Sequence, residues 1–299
     1  MKFRRFTQLS LAALVLAGSN LSAVAACMAS TKGRVEVLPF RLSESGFIHV
    51  AVTINGRGPF NFVLDTGSNR SAVTTKIAAE LELKQVAVTG LVTSASERAV
   101  TIVRIGSFAL GGLLRSGVLA TVLADRDAAA LGGDADGIIG QDVLGDSNYT
   151  IDYQHQRLLW GVDEAAPTPG TARLSLRRDE GRWLVALPQD KQGGEIVWFV
   201  PDSGATSFVV FDRGLKSPLH VTPLPAGAEV KSVTGGRQVQ TAVLRQLRVG
   251  KVVFRNRPTL LIDRHEPNAP AGDGLLPLSE FVSVSFNASE GFLIVRGRQ

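Results

Sequence analysis

Two short stretches of this 299-residue chain contain residue types suited to acid–base chemistry. An apolar run leads to Asp65-Thr66-Gly67-Ser68, and a second apolar run in the later half leads to Asp202-Ser203-Gly204. In each, the glycine fits a sharp turn that a Cβ would obstruct. A carboxylate next to a core is costly unless it is hydrogen-bonded or shares a proton. Two such acids brought together could activate a water between them, one accepting and one donating a proton.

A second signal follows each acid at the same distance. Asp136-Gly137 and an apolar pair come after Asp65, and Asp273-Gly274 with its own apolar pair comes after Asp202 at an identical interval. Two features that repeat at one offset predict an internal duplication, with two copies of one fold in the chain. We expect Asp136 and Asp273 to be structural residues behind the two loops.

These paired signals resemble the aspartic peptidases, and the approach to the first acid, Ile54 to Phe60, resembles the retropepsin-like bacterial aspartyl proteases. The resemblance covers nearly all of the chain after its leader, 1–26. It implies an all-β fold of two retropepsin-like acid-protease β-barrel lobes related by a pseudo-twofold axis. It also implies an aspartic endopeptidase that needs no cofactor or metal and has Asp65 and Asp202 as its catalytic pair.

The resemblance assigns further roles. Thr66 and Ser203 would support the acids through hydroxyl hydrogen bonds across the axis, Gly67 and Gly204 would let the loops pack closely, and Ser68 would hydrogen-bond Asp65. Glycine-rich hairpins would close over the substrate, and plain surface hairpins are the alternative; the candidate residues are Thr89, Gly90, Thr234, Gly235 and Gly236. Pro201 and Pro277 replace Leu64 and Gly140 of the first copy, which suggests a distorted second lobe.

The body of the chain has the composition of β-structure. Phe47 to Ile54 is rich in β-branched residues and ends at the hairpin signal Asn55-Gly56. Thr75 to Leu83 has helical spacing, and Gln141 to Leu144 predicts one short turn of helix. The arginine-rich segment from Arg173 to Arg182 is interpreted as a solvated edge. The predicted organisation is a signal peptide (1–26), an N-terminal lobe (27–164), a linker (165–172) and a C-terminal lobe (173–299).

The first residues predict export. A basic start, an apolar run and small residues before Cys27 are the layout of a secretory signal peptide. The expected location is therefore the periplasm or cell envelope. Cys27 is either lipidated, as in bacterial lipoproteins, or left as a thiol near the new N-terminus, and the sequence favours neither. As the only cysteine, it cannot form an internal disulfide.

Charge and composition exclude other classes. The chain has 32 basic and 27 acidic residues, and loss of Lys2, Arg4 and Arg5 with the leader leaves 29 against 27, so no nucleic-acid partner is expected. The four histidines share no metal-ligand spacing. We expect a monomer whose partner is a peptide or protein substrate, and which contacts a membrane only through a lipid at Cys27. The alternatives are a catalytically weak relative that binds peptides and an envelope scaffold with purely structural acids.

Overall fold

The computed structural model describes residues 15–16, 35–92, 97–128, 131–132, 134–161, 169–189, 195–212, 219–232, 235–263 and 272–298. β-strands predominate, which confirms the predicted all-β class. The strands are β1 Val15–Leu16, β2 Glu36–Pro39, β3 Arg41–Leu42, β4 Ile48–Ile54, β5 Arg57–Leu64, β6 Ala72–Thr74, β7 Lys84–Val92, β8 Glu97–Leu110, β9 Leu113–Leu123, β10 Gly137–Ile139, β11 Tyr149–Asp152, β12 Arg157–Trp160, β13 Thr171–Asp179, β14 Arg182–Pro188, β15 Ile196–Asp202, β16 Phe208–Asp212, β17 Val221–Ser232, β18 Gly235–Val249, β19 Val252–Asp263, β20 Gly274–Pro277, β21 Phe281–Asn287 and β22 Phe292–Gly297. The helices are α1 Thr75–Glu80, α2 Asp125–Ala128 and α3 Gln141–Leu144, with a 3₁₀ turn at Leu278–Glu280.

The first half of the chain forms a nine-stranded sheet in the order β1-β7-β8-β9-β6-β10-β5-β4-β3. Strand β10 lies between β5 and β6, parallel to β5 with Ile139 opposite Leu64 and antiparallel to β6. Strand β5 is buried at its C-terminal end, where Asp65 follows. The first acid is therefore positioned by the centre of a sheet.

The second half repeats this arrangement. Strand β20 lies between β15 and β16, parallel to β15 with Leu276 opposite Pro201 and antiparallel to β16. The interval from Leu64 to Pro201 equals that from Ile139 to Leu276, and both equal the interval between the two acids. The duplication expected from the sequence is thus present in the strand register.

The two halves share one sheet. Strands β13-β22-β21-β11-β12-β2 are consecutive in the thirteen-stranded sheet, so strands of the first half are bonded directly to strands of the second. Where they meet, β11 is antiparallel to β21, with Tyr149 opposite Phe286 and the two rings stacked at 4.8 Å between centroids. Because these residues are separated by the same repeat interval, the pseudo-twofold axis passes between them.

The local predictions agree with the structure except at their ends. The Asn55-Gly56 turn has φ angles of 51° and 75°, as an Asn-Gly hairpin turn requires. Helix α1 begins after Thr74, whose hydroxyl accepts a hydrogen bond from the Ile77 amide, and ends at Glu80 rather than at Leu83. Strand β13 begins at Thr171, inside the segment predicted as a linker. Within the described ranges, no helix is both long and apolar enough to cross a membrane.

Candidate active site

Asp65 directly follows β5, and Asp202 is the last residue of the equivalent strand β15. Both acids are buried, with 2% and 0% of their surface exposed. The turn after each acid directs backbone amides at it. Gly67 N and Ser68 N donate to Asp65 Oδ1 at 2.9 and 3.0 Å, and Gly204 N donates to Asp202 Oδ1 at 2.7 Å. Each carboxylate is therefore fixed in orientation by its own loop.

The two loops are also bound to each other through Thr66 and Ser203. Thr66 Oγ1 donates to the carbonyl of Pro201 at 2.7 Å and accepts from Ser203 N at 2.9 Å. Reciprocally, Ser203 Oγ donates to the carbonyl of Leu64 at 2.7 Å and accepts from Thr66 N at 3.0 Å. These four bonds, which we call the reciprocal hydroxyl bonds, join the two loops across the axis. The geometry leaves little freedom for one acid to move relative to the other.

Glycine is required in both loops because each loop contacts the opposite carboxyl group. A Cβ on Gly67 would overlap the carboxyl group of Asp202, and a Cβ on Gly204 would lie 2.8 Å from Cγ of Asp65. Contacts that short do not occur between carbon atoms, so any larger residue would separate the acids.

The environment favours the protonated form of both acids. Burial raises the pKa of Asp65 to about 6, against the opposing effects of a hydrogen bond with Asp202, the Gly67 and Ser68 amides and the charge of Arg182. Burial also raises the pKa of Asp202 well above its ordinary value, and the charge of Asp65 adds to this. Two such carboxyls hold a shared proton over a range of pH, and their titration belongs to the pair.

The acids of the second repeated signal have matching structural contacts. Asp136 Oδ2 accepts from Asn61 N at 2.9 Å, and Asp273 Oδ2 accepts from Trp198 N at 2.8 Å. Asn61 and Trp198 are themselves equivalent positions of the two copies. Both acids therefore join β10 or β20 to the strand that leads to the active-site loop, as expected for structural residues.

Two expectations need correction. The Ser68 hydroxyl donates to the carbonyl of Arg70 at 2.8 Å, so Ser68 reaches Asp65 through its backbone amide and not through its side chain. The prolines do not distort the second loop. Pairing between β14 and β15 ends at Phe199, so Pro201 removes no pair of that ladder, and its carbonyl still accepts from Thr66. Pro277 lies opposite Asp202 in regular parallel pairing.

The strands on either side of both predicted hairpins are paired, and the turn residues 93–96 and 233–234 lie outside the described residues. Thr89 and Gly90 lie in β7, opposite Val100 and Ala99 of β8. Gly235 and Gly236 begin β18, opposite the last residues of β17. Thr234 and Cys27 lie outside the described residues.

The sequence interpretation missed a buried network beside the first loop. Asp142 Oδ1 accepts from Ser71 N at 2.8 Å and from Ser71 Oγ at 2.7 Å, and Ser71 Oγ accepts from Gly140 N at 3.0 Å. Gln141 Nε2 donates to the carbonyl of Thr66 at 2.8 Å. The available signal was the polar pair Gln141-Asp142, which follows the apolar residues Ile138 and Ile139 after a single glycine.

Arg182 was also missed. The residue was assigned to a solvated edge, but none of its surface is exposed, and it has the largest fully buried side chain of the described residues. Burial lowers the pKa of Arg182 to about 10, and the charges of Glu180, Asp65, Asp202 and Asp179 act against this shift. An arginine in a sequence rich in arginines carries no local signal of burial.

Comparison with known proteins agrees with this geometry. Residues 50–143 and 191–279 both match the family described as Aspartyl protease. The chain belongs to the aspartyl protease family. The two matched segments fall one in each half, which confirms the predicted duplication.

Among solved structures, this aspartyl protease is similar to a retropepsin-like aspartic protease from Rickettsia conorii. The identity is 17%, the match covers 42% of this chain and 90% of that one, and the TM-score is 0.30. No curated protein matches this chain.

Proposed function

We propose that this aspartyl protease is an exported endopeptidase in which Asp65 and Asp202 activate a water for hydrolysis of peptide bonds. The observation that carries the proposal is the pair of buried carboxyls, one from each half, fixed together by the reciprocal hydroxyl bonds. A purely structural pair of acids would gain nothing from mutual proximity, since two like charges destabilise each other.

The chemistry follows from one shared proton. The ionised carboxylate accepts a proton from water, and the resulting hydroxide oxygen bonds to the carbonyl carbon of the substrate while the protonated carboxyl donates to the carbonyl oxygen. When the tetrahedral intermediate breaks its C–N bond, a dyad proton passes to the leaving amine. The second proton returns from the diol to the dyad, which regains its single proton without a covalent intermediate.

We further propose that the substrate is an extended peptide with apolar side chains near the cleaved bond. Strand β17 is the terminal strand of its sheet, and β7 is paired on its outer side at Leu91 and Val92 with β1, which leaves the rest of its edge open in the described residues. Both hairpins therefore offer strand edges to which a peptide can add by backbone hydrogen bonding. Each hairpin also exposes apolar side chains: Val88 of β7 is 62% exposed and Leu224 of β17 is 40% exposed. Exposed apolar residues on such edges favour contact with apolar substrate side chains.

Export, removal of residues 1–26 and lipidation of Cys27 are separate proposals. They are supported by the basic, apolar and small segments at the start of the sequence. Mass spectrometry of the mature N-terminus from membrane and soluble fractions distinguishes the two fates of Cys27. A diacylglyceryl adduct indicates a lipoprotein, and an unmodified N-terminus indicates ordinary cleavage.

The catalytic proposal is tested with the purified mature chain on an unfolded protein substrate from about pH 3 to about pH 8. Asp65→Asn and Asp202→Asn are each expected to lower kcat by about 1,000-fold or more, because either change removes the shared proton site. Asp146→Asn, at a carboxylate whose side chain is 89% exposed, is the matched control and should retain full activity.

No cleavage at any pH by a wild-type chain that is folded would overturn the proposal. Peptide binding without turnover would then favour a catalytically weak relative. Neither binding nor cleavage would favour an envelope scaffold.

A further inference from the structure

Arg182 differs from the other arginines of β13 and β14 in its burial. Arg177 and Arg178 lie over the rings of Trp198 and Trp183, and their side chains are 51% and 37% exposed. Arg182 has no exposed surface. Burying a guanidinium is strongly unfavourable unless nearby groups compensate its charge, so its position requires a reason.

The turn that bears Arg182 belongs to the second lobe but packs on the active-site loop of the first. Asn69 Nδ2 donates to the carbonyl of Glu180 at 3.3 Å, and a Cβ on Gly181 would lie 3.5 Å from the Asn69 Cβ. Asn69 directly follows Ser68, whose amide donates to Asp65. The turn therefore brings Arg182 from one lobe to the dyad that both lobes form.

The equivalent position of the first lobe holds an apolar residue. Val185 faces Phe199 in the second lobe as Val50 faces Phe62 in the first, which aligns Arg182 with Phe47. Phe47 is also fully buried. The duplicated fold therefore accepts an apolar side chain at this position, so the fold itself does not demand the charge of Arg182.

We propose that Arg182 is a positioning residue whose buried guanidinium, delivered by the second lobe, stabilises the ionised state of the Asp65–Asp202 dyad. The charges of four acids act on the guanidinium: those of Glu180 and Asp179 on its own turn, and those of the two dyad acids. The positive charge acts on the dyad in the opposite sense to burial, and it lowers the pKa of Asp65.

Among the described residues, a second ionisable group that interacts electrostatically with the dyad comes from the segment after β11. Burial raises the pKa of the Tyr153 phenol, and the charge of Asp202 adds to this shift. A neutral phenol supplies no charge, so Arg182 is the single cation that affects Asp65 among the causes of its shift. Arg182 thereby extends to lower pH the range in which the dyad carries one negative charge.

This inference deepens the proposed function and rests on it for its catalytic meaning, so the main readout does not require turnover. The pKa of Asp65 is measured by carboxyl ¹³C NMR in the wild-type chain and in Arg182→Met, with Asp65→Asn to assign the resonance. Loss of the guanidinium is expected to raise the pKa of Asp65 by about one unit. Arg182→Lys should shift it less, because the charge is kept.

Arg177→Met is the matched control, since it removes a nearby cation at an exposed position, and it should leave the titration unchanged. If Arg182→Met does not fold, the pKa of Asp65 is measured in Glu180→Gln instead. Removing that competing acid is expected to lower the pKa of Asp65. An unchanged titration of Asp65 in a folded Arg182→Met, or in Glu180→Gln if the first variant is unfolded, would overturn the inference.

Kinetics supply the second readout. If the chain cleaves peptides, the acidic limb of the pH profile of kcat/KM in Arg182→Met should shift to higher pH. The shift should equal the change in the pKa of Asp65, and KM at the pH optimum should be unchanged. A raised KM with an unmoved acidic limb would instead make Arg182 a substrate contact and overturn the inference. If the wild type does not cleave, the NMR titration still decides, so failure of the proposed function is distinguishable from failure of this one.

Discussion

Gly67 and Gly204 have no side chain, and this allows the two acids to approach each other. The loop of each half has a glycine at the point where it meets the opposite carboxyl group, and both hypothetical Cβ contacts are shorter than carbon atoms tolerate. The need for glycine here arises from contact between the halves and not from backbone conformation, because neither Gly67 nor Gly204 has a positive φ.

Gly67→Ala is therefore expected to lower kcat by about 100-fold while the protein still folds, because the new methyl group displaces Asp202 from its partner. Peptide cleavage and thermal unfolding measured on the same preparation check this. Asp146→Ala, at a side chain that is 89% exposed and lies outside both hairpins, is the control and should retain activity. Full activity in Gly67→Ala would show that the acids need not be in contact.

The raised pKa of Asp65 also predicts how stability depends on pH. A carboxyl whose folded pKa is raised stabilises the fold below its unfolded pKa, and this contribution is lost as the pH rises through the folded value, here about 6. Asp65→Asn avoids this loss of stability, because an amide does not ionise. We expect it to increase the free energy of unfolding by about 3 kcal/mol at neutral pH, with no such gain below about pH 4. Chemical denaturation at the two pH values tests this, and equal gains at both would contradict the raised pKa.

At the scale of elements, the two halves stabilise their active-site loops differently. In the first, Asp142 of α3 bonds to Ser71 just before β6, and Ser71 in turn accepts from Gly140. In the second, the corresponding positions are Phe208 and Ser279. A buried polar network in one half is thus replaced by apolar packing in the other.

Asp142→Ala is expected to destabilise the fold by about 2 to 3 kcal/mol, because the Ser71 amide and hydroxyl would lose their buried acceptor. Ser279→Ala, at the equivalent position, should change stability by less than about 0.5 kcal/mol. Urea denaturation of both variants gives the comparison. Similar losses in the two variants would contradict the asymmetry.

At the scale of the whole molecule, the halves are joined by a continuous sheet as well as by the active site. Strands β11 and β21 pair across the pseudo-twofold axis, and the stacked rings of Tyr149 and Phe286 lie at that junction. Both residues are buried, with about 1% of their surface exposed. The lobes therefore depend on each other for part of their core.

Tyr149→Ala is expected to lower the free energy of unfolding by about 3 to 5 kcal/mol, since it leaves a cavity in the shared sheet. Tyr149→Phe keeps the ring and should cost much less. Calorimetry should show one transition for the wild type, because the junction couples the lobes. Two well-separated transitions in the wild type would mean that the lobes unfold independently.

The duplication, the two acid loops and the strands that lead to them could be predicted from the sequence alone. Repetition at one constant offset is a property of the chain, and hairpin signals such as Asn55-Gly56 act between neighbouring residues. The roles of Asp136 and Asp273 followed from the same repetition. These features were predictable because they depend on local pattern or on comparison of one half with the other.

The groups that lie opposite each active-site loop could not be predicted from the sequence. The reciprocal hydroxyl bonds end on the carbonyls of Leu64 and Pro201, which have no side-chain signal, and the Ser68 hydroxyl binds Arg70 rather than Asp65. Arg182 lies in an arginine-rich segment, yet it is fully buried near both acids. The contacts across the axis join residues from opposite halves of the chain, and burial at that range depends on how the halves pack, which no local pattern records.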